Sequence, residues 1–121
     1  MNFLSNNIVA VLLLLASWPA LAAGVEAASV LSSGPTPARV RELVHLVRQD
    51  CGSCHGLNLT GGLGPSLLPE ALRDKPVDSL RYTVLLGRPG TPMPPWKAYL
   101  TEDEADWIVR QLLAGFPQES K

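Results

Sequence analysis

The feature that most constrains this chain is the pentapeptide from Cys51 to His55, which reads CGSCH. Two thiols separated by two residues, with a histidine directly after the second, form the C-x-x-C-H motif of covalent c-type haem attachment. Both thiols can form thioethers with the vinyl groups of one porphyrin, and the His55 imidazole can then ligate the iron. A C-x-x-C pair also fits a disulfide or redox-active dithiol, but the adjoining histidine favours haem. The motif therefore predicts one covalently bound haem c.

A second stretch supplies a candidate for the other axial ligand. Residues 88–96 read RPGTPMPPW, and the four prolines from Pro89 to Pro95 exclude a helix. A lone methionine is most often a core gap-filler, but Met93 has little helical or strand face from which to pack. A stiff loop that presents one thioether suits a weak iron–sulfur bond, because little ordering is needed to form it. We predict Met93 as the distal ligand opposite His55.

Residues 56–67 read GLNLTGGLGPSL and lie between these two stretches. A phosphate-binding loop is disfavoured, since no Gly-Lys-Ser/Thr follows and no β run precedes. Glycine instead suits a loop whose backbone presses against a flat ring. The Pro65 carbonyl is our candidate acceptor for the His55 Nδ1–H, which would fix the orientation and basicity of the imidazole. Leu67 is predicted to form an apolar wall of the haem pocket.

Three further polar side chains bear on the predicted haem pocket. Trp96 can donate its indole N–H to one propionate and Arg88 can pair with the other, although surface exposure fits each nearly as well. His45 is the only histidine besides His55, so it is a possible rival iron ligand. Helical spacing groups it with Arg41 and Arg48 on the outward face of a helix. A solvated His45 is therefore predicted.

Composition limits the remaining possibilities. A chain of 121 residues suits one domain, and a formal net charge of −1 gives no electrostatic case for nucleic acid or an anionic membrane. Both cysteines belong to the motif, so no disulfide framework remains, and a bound macrocycle would take the place of the missing staple. Eleven prolines and ten glycines predict many loops and no large sheet.

The amino terminus resembles an export signal. An apolar run at residues 8–16 is followed by Ala20-Leu21-Ala22, a small-x-small site that predicts cleavage after Ala22, with Ala23 as a rival position. An uncleaved anchor is the alternative, but spanning a bilayer takes about twenty apolar residues and Trp18-Pro19 interrupts this run. The predicted organisation is a signal peptide at residues 1–22, a flexible linker at 23–35, a folded domain at 36–117 and a frayed tail at 118–121.

Capping residues and apolar spacing predict an all-α domain. The predicted segments are a helix from Thr36 to about Gln49, a short turn at residues 69–73, a helix capped by Asp78 and stopped by Gly87, and a last helix from the capping box Thr101/Glu104 to Gly115. The side chains predicted to face the core are Val40, Leu43, Val44, Val47, Leu80, Val84, Leu85, Ala105, Ile108, Val109, Leu112 and Leu113.

From Thr36 to about Phe116 the order of motifs resembles a small class I cytochrome c. The stretches around Cys51 to His55, Gly61 to Pro65 and Gly87 to Trp96 resemble more narrowly the NirC-type cytochromes of denitrifying bacteria. Membership would imply an all-α class I cytochrome c fold, with crossed terminal helices packed around one haem. It would also imply a periplasmic location, because c-type haem is attached outside the cytoplasm in bacteria. The implied partner is cytochrome cd1 nitrite reductase.

Three functions follow from these observations as competing hypotheses. A haem ligated by both His55 and Met93 has no open site, which predicts an electron carrier that is not an enzyme. We also expect a monomer without stable membrane insertion after signal removal. The resemblance also allows an accessory role in d1 haem biosynthesis or nitrite reductase maturation. A gas sensor or peroxidase-like enzyme would need a vacant distal site, which the predicted Met93 ligand argues against.

Overall fold

The computed structural model describes residues 34–119, so the predicted signal peptide, most of the predicted linker and the last two residues lie outside the described range. The elements are α1 (Pro37–Leu46), a π-helical turn (Val47–Cys51), α2 (Gly52–His55), α3 (Pro69–Leu72), α4 (Val77–Leu86) and α5 (Glu102–Ala114). Residues 34–119 contain no β-strand, which confirms the all-α prediction. Within that range no helix combines the length and the apolar character that a bilayer crossing requires.

Helix α1 begins where the sequence predicts and continues further than predicted. The Thr36 hydroxyl accepts a hydrogen bond from the Arg39 amide at 3.3 Å, and Pro37 occupies the first helical position. The predicted end near Gln49 is wrong, since the chain passes through the π-helical turn into α2 and stays helical to His55. No glycine or proline lies between Pro37 and Gly52, so nothing breaks the helix.

Arg48 is the main error in the predicted surface of the first helix. Its side chain is buried, with 7% of its surface exposed, rather than solvated beside Arg41 and His45. Arg48 lies within the π-helical turn, and its guanidinium donates to the backbone carbonyls of Leu57, Phe116 and Pro117, which hold the side chain inward. Arg41 and His45 are exposed as predicted, and the His45 Nδ1 lies 2.8 Å from a carboxylate oxygen of Glu119.

The middle of the chain forms α3 and α4, which bring the chain to the second predicted motif. Helix α3 corresponds to the predicted short turn. Helix α4 begins at Val77 with Pro76 in the capping position, so the predicted cap at Asp78 is wrong. Pro76, at φ −59° and ψ 137°, directs the chain into the helix without a side-chain cap. Asp78 instead lies in the first turn and pairs with Arg81 at 3.0 Å.

Helix α5 confirms the predicted capping box. The Glu104 amide donates to the Thr101 hydroxyl at 3.2 Å, and the Thr101 amide donates to a Glu104 carboxylate oxygen at 2.9 Å. Leu113, at the edge of the predicted apolar stripe, is only half-buried. The buried core is formed by Leu43, Val47, Leu59, Leu72, Leu85, Leu100, Ala105, Ile108 and Leu112.

An ion pair ties α1 to α5 at the edge of this core. The Arg39 Nε donates to Glu104 Oε1 at 2.6 Å, and its Nη1 donates to Glu42 at 2.8 Å. The hydrogen bond from Arg39 holds the pKa of the Glu104 carboxyl below its ordinary value. Because the folded-state pKa is the lower one, this contact stabilises the fold above the unfolded-state pKa. That contribution is lost as the pH falls through the folded-state pKa.

Candidate haem site

Helix α2 and the turn before it position the two cysteines and the histidine. Cys51 closes the π-helical turn, and Cys54 and His55 follow within α2. Residues three apart on a helix share a face, so the two thiols project from neighbouring positions. Both cysteines are half-buried and unpaired with each other in a disulfide. Burial raises the pKa of the Cys51 thiol to about 11, with a smaller effect from Asp50, so this thiol is protonated at neutral pH.

The His55 imidazole is oriented by a backbone carbonyl. The side chain is buried, and its Nδ1 lies 2.7 Å from the Pro65 carbonyl oxygen. A carbonyl only accepts, so Nδ1 carries the hydrogen and donates it. The lone pair is therefore on Nε2, the nitrogen that would face a metal. A histidine held in this way is a pre-oriented ligand rather than a solvated surface residue.

Gly64 gives the imidazole the space it needs. A Cβ built on Gly64 would lie 2.7 Å from both Cε1 and Nδ1 of His55, closer than any real contact. From the sequence we predict that the glycines of this loop let its backbone pack against the flat haem ring. In the structure, the flat group that Gly64 contacts is the imidazole of His55. The sequence does not reveal this pairing, because Gly64 and His55 are brought together only by the fold of the loop.

Gly64→Ala is therefore expected to displace His55 from the Pro65 carbonyl. Overpacking at a tight site costs about 1–3 kcal/mol, so denaturant melts of the holoprotein should show a lower free energy of unfolding, with a changed haem absorption spectrum. Gly34→Ala is the matched control, because within residues 34–119 only Gly34 itself and its chain neighbour lie within 4 Å of the position that its Cβ would take. Equal stability and identical spectra for the two variants would contradict this interpretation.

The loop after His55 is fastened to the haem-motif helix by backbone hydrogen bonds. The Gly61 amide donates to the His55 carbonyl and the Gly64 amide to the Cys54 carbonyl, each at 2.8 Å. Leu59 in this loop has φ +62° and is 1% exposed. A leucine in this region is strained, and its burial together with the hydrogen bond that the Leu59 carbonyl accepts from Leu67 at 2.9 Å holds it there. Nothing in the sequence pattern identifies this strain.

The loop carrying Met93 is held at both ends by α4. Helix α4 stops at Gly87 with φ +66°, and the Arg88 amide then donates to the Met93 carbonyl at 3.1 Å. The Met93 amide donates to the Thr91 hydroxyl at 3.3 Å. Beyond it, the Trp96 amide returns to the α4 carbonyl of Val84 at 3.1 Å. The thioether is thus presented from a short, internally bonded loop.

Gly87→Ala is expected to disturb this loop. A Cβ on Gly87 would lie 2.7 Å from the Met93 carbonyl oxygen and from backbone atoms of Pro94 and Pro95. Gly90→Ala is the matched control, since Gly90 also has a positive φ but an added Cβ there would meet no described atom within 4 Å. Only Gly87→Ala should weaken the sulfur-to-iron absorption band of the oxidised protein. The prediction fails if the Gly90→Ala variant weakens the band as much.

The remaining predicted pocket residues differ in how far they are buried. Leu67 is half-buried and packs against the core. Trp96 is half-buried, also packs against the core, and lies with its ring centroid 6.0 Å from that of Tyr99. Arg88 is exposed. The donor set itself fits a haem: two neighbouring thiols, a buried imidazole oriented by a carbonyl, and a thioether on a loop with bonded ends.

Sequence and structure comparisons find c-type cytochromes that are similar to this chain. Residues 38–110 match the family model described as cytochrome c oxidase, cbb3-type, subunit III. Cytochrome c55X of Pseudomonas aeruginosa is 63% identical over 81 residues, covering 67% of this chain and 68% of that protein. Cytochrome c55X of Paracoccus denitrificans is 52% identical over 72% of this chain and 84% of its own length. A solved c-type cytochrome NirC is 62% identical, with a TM-score of 0.66 over 67% of this chain and 95% of that one.

A larger protein contains a similar segment. Dihydro-heme d1 dehydrogenase of Pseudomonas aeruginosa is 38% identical over 100 residues, which are 82% of this chain but only 19% of that protein. The solved structure of dihydro-heme d1 dehydrogenase NirN in complex with DHE superposes with a TM-score of 0.55 at 39% identity, over 64% of this chain and 17% of the other. The similarity to cytochrome c55X, to NirC and to the family model confirms three predictions: the class I cytochrome c fold, the resemblance to NirC-type cytochromes and one covalent haem c.

Proposed function

Because this chain belongs to the c-type cytochromes, in the family of cytochrome c55X and NirC, we propose that it carries single electrons between periplasmic redox proteins. When bound, the haem supplies a one-electron Fe(III)/Fe(II) couple. In this proposal Cys51 and Cys54 hold the haem through thioethers, and His55 and Met93 ligate its iron. The observation that carries the proposal is the bonded loop around Met93, because a thioether ligand opposite His55 would leave no open site on the iron for a substrate.

The protein's own residues would tune this couple and keep it reversible. The Pro65 carbonyl accepts from His55 and so keeps the imidazole fixed when the iron changes oxidation state. The Met93 loop is bonded at both ends, so little rearrangement accompanies electron transfer. A thioether favours Fe(II), which raises the reduction potential. These features suit a carrier rather than a gas sensor or peroxidase-like enzyme.

The proposed electron acceptor is cytochrome cd1 nitrite reductase. The family of NirC-type cytochromes, to which the sequence and the fold are similar, supports this partner. Reduction of nitrite to nitric oxide consumes one electron and two protons and releases water, so one reduced carrier per turnover balances the reaction. The predicted signal peptide at residues 1–22 supports the periplasm as the compartment in which the two proteins exchange electrons. Such redox encounters are small and transient.

Charge near the Met93 loop is suited to orienting the encounter. Residues 36–100 carry eight cationic and five anionic side chains, whereas residues 101–121 carry two against five. Arg88 and Lys97 flank the Met93 loop, are exposed, and form no ion pair within residues 34–119. An acidic face on the partner would be attracted to this end of the molecule.

Reversing both charges, Arg88→Glu with Lys97→Glu, is expected to slow electron transfer to the reductase about tenfold at low ionic strength, with the rates converging at high salt. Stopped-flow mixing of reduced protein with oxidised reductase measures this. Arg73→Glu with Lys75→Glu is the control, because it changes net charge equally at exposed positions after α3. Equal slowing by both pairs, or a rate that does not depend on salt, would rule out steering by the Met93 loop.

A second function is favoured by the likeness to dihydro-heme d1 dehydrogenase. Dehydrogenation removes two electrons and two protons, so one-electron acceptors must take the electrons in two steps. A carrier related to a segment of that enzyme is a candidate acceptor, which would give this protein a part in d1 haem maturation. A deletion strain separates the roles. Reductase lacking d1 haem would support maturation, whereas normal d1 content with slower reduction would support delivery to the reductase.

A further inference from the structure

Arg48 is a buried arginine that the haem-ligation scheme does not use. It lies in the π-helical turn, three residues before Cys51, and only 7% of its surface is exposed. Buried arginines are rare unless their charge and donors are satisfied. A π-helical turn inside a longer helix is itself unusual and frequently marks a functional position.

The guanidinium bonds to two separate backbone segments. Its Nη2 donates to the carbonyls of Phe116 at 2.8 Å and Pro117 at 2.9 Å, and its Nε donates to Pro117 at 3.1 Å. Its Nη1 donates to the Leu57 carbonyl at 3.3 Å. The guanidinium carbon also lies 5.5 Å from the centre of the Phe116 ring. One side chain thus joins the haem-motif helix to the loop after His55 and to the segment after α5.

The charge of Arg48 is not neutralised by a carboxylate. Arg48 forms no ion pair in the part of the chain that the structure describes. Glu119, which follows the bonded segment, lies 2.8 Å from His45 and 3.5 Å from Gln49 instead. Carbonyl oxygens satisfy the donors of the guanidinium but leave its full positive charge in the interior.

We propose that Arg48 is a positioning residue that clamps the haem-motif helix to these two segments, and that its uncompensated charge favours the reduced haem. Arg48 precedes His55 by seven residues, about 10 Å along a helix. Reduction of the iron adds one electron and removes one positive charge, so a fixed cation in a low-dielectric interior disfavours the oxidised state. The charge part rests on the proposed function, whereas the clamp is a property of the polypeptide.

The test compares Arg48→Met, Arg48→Lys and the matched surface variant Arg41→Met. Arg41 is exposed on the same helix, so its loss removes a screened charge. Redox titration should show the equilibrium constant for reduction falling roughly tenfold in Arg48→Met while staying near wild type in Arg48→Lys and Arg41→Met. Hydrogen–deuterium exchange of residues 115–119 should rise about tenfold in both Arg48 variants, since lysine cannot reproduce the forked bonds.

Two outcomes would overturn the inference. An equal fall in the reduction constant for Arg48→Met and Arg48→Lys would mean that packing, not charge, is responsible. Unchanged exchange at residues 115–119 in both variants would exclude the clamp. If Arg48→Met does not fold, Arg48→Gln replaces it as the uncharged variant in the same comparison with Arg48→Lys. Failure of the proposed function itself would be seen separately, as a wild-type spectrum that lacks six-coordinate haem.

Discussion

Replacing Met93 by alanine is expected to leave the haem attached but to lower its reduction potential and open the sixth coordination position. The thioether stabilises Fe(II), and alanine offers no replacement ligand. Axial ligands move haem potentials over a span of roughly 0.8 V, so a fall on the order of a tenth of a volt or more is expected. Redox titration measures the fall, and CO binding to the reduced protein at neutral pH reports the open position.

Pro92→Ala is the control for this substitution, because Pro92 is an exposed neighbour in the same loop. It should leave the potential and the resistance to CO unchanged. An unaltered spectrum and potential in Met93→Ala would show that another residue ligates the iron. Rapid and complete CO binding by the wild-type protein would instead favour the gas-sensor hypothesis, since that chemistry needs a vacant site.

The second large effect is expected from Cys51→Ser with Cys54→Ser. Serine hydroxyls do not form the thioethers that attach the porphyrin, so covalent haem should be lost completely. Because the two thiols are the only cysteines in the chain, no other residue can take over the attachment. A small domain often needs an added staple such as a bound macrocycle, so the variant should lose much of its cooperative unfolding. Haem staining after denaturing electrophoresis and a thermal melt measure the two effects.

Ser53→Ala tests the same helix without touching a thiol. The Ser53 hydroxyl donates to the Asp50 carbonyl at 2.7 Å from an exposed position, so its loss should be mild. This variant should retain covalent haem and a cooperative melt. Covalent haem in the double serine variant would show that the two cysteines are not the points of attachment.

The local features of this protein could be predicted from its sequence because each depends on residues close together in the chain. The Thr101–Glu104 capping box and the Thr36–Pro37 helix start are both within a single turn. The hydrogen bond between His55 and the Pro65 carbonyl could also be predicted, because only a short loop separates two residues that are ten positions apart. The structure places that carbonyl at 2.7 Å from the His55 Nδ1.

The features that escaped prediction depend on contacts that form only in the folded chain. The side chain of Arg48 turns inward to carbonyl partners at Phe116 and Pro117, which lie almost seventy residues away in the chain. Gly64 meets the His55 imidazole only once the loop has folded back on the helix. The strained φ of Leu59 follows from burial in the assembled core rather than from a turn-forming residue type.

A pyridine haemochrome spectrum of the purified protein, made in cells able to mature such cytochromes, tests the central claim most directly. We expect one haem per polypeptide, with the band position of a porphyrin whose two vinyl groups have been saturated by Cys51 and Cys54. A well-folded preparation without haem would contradict it.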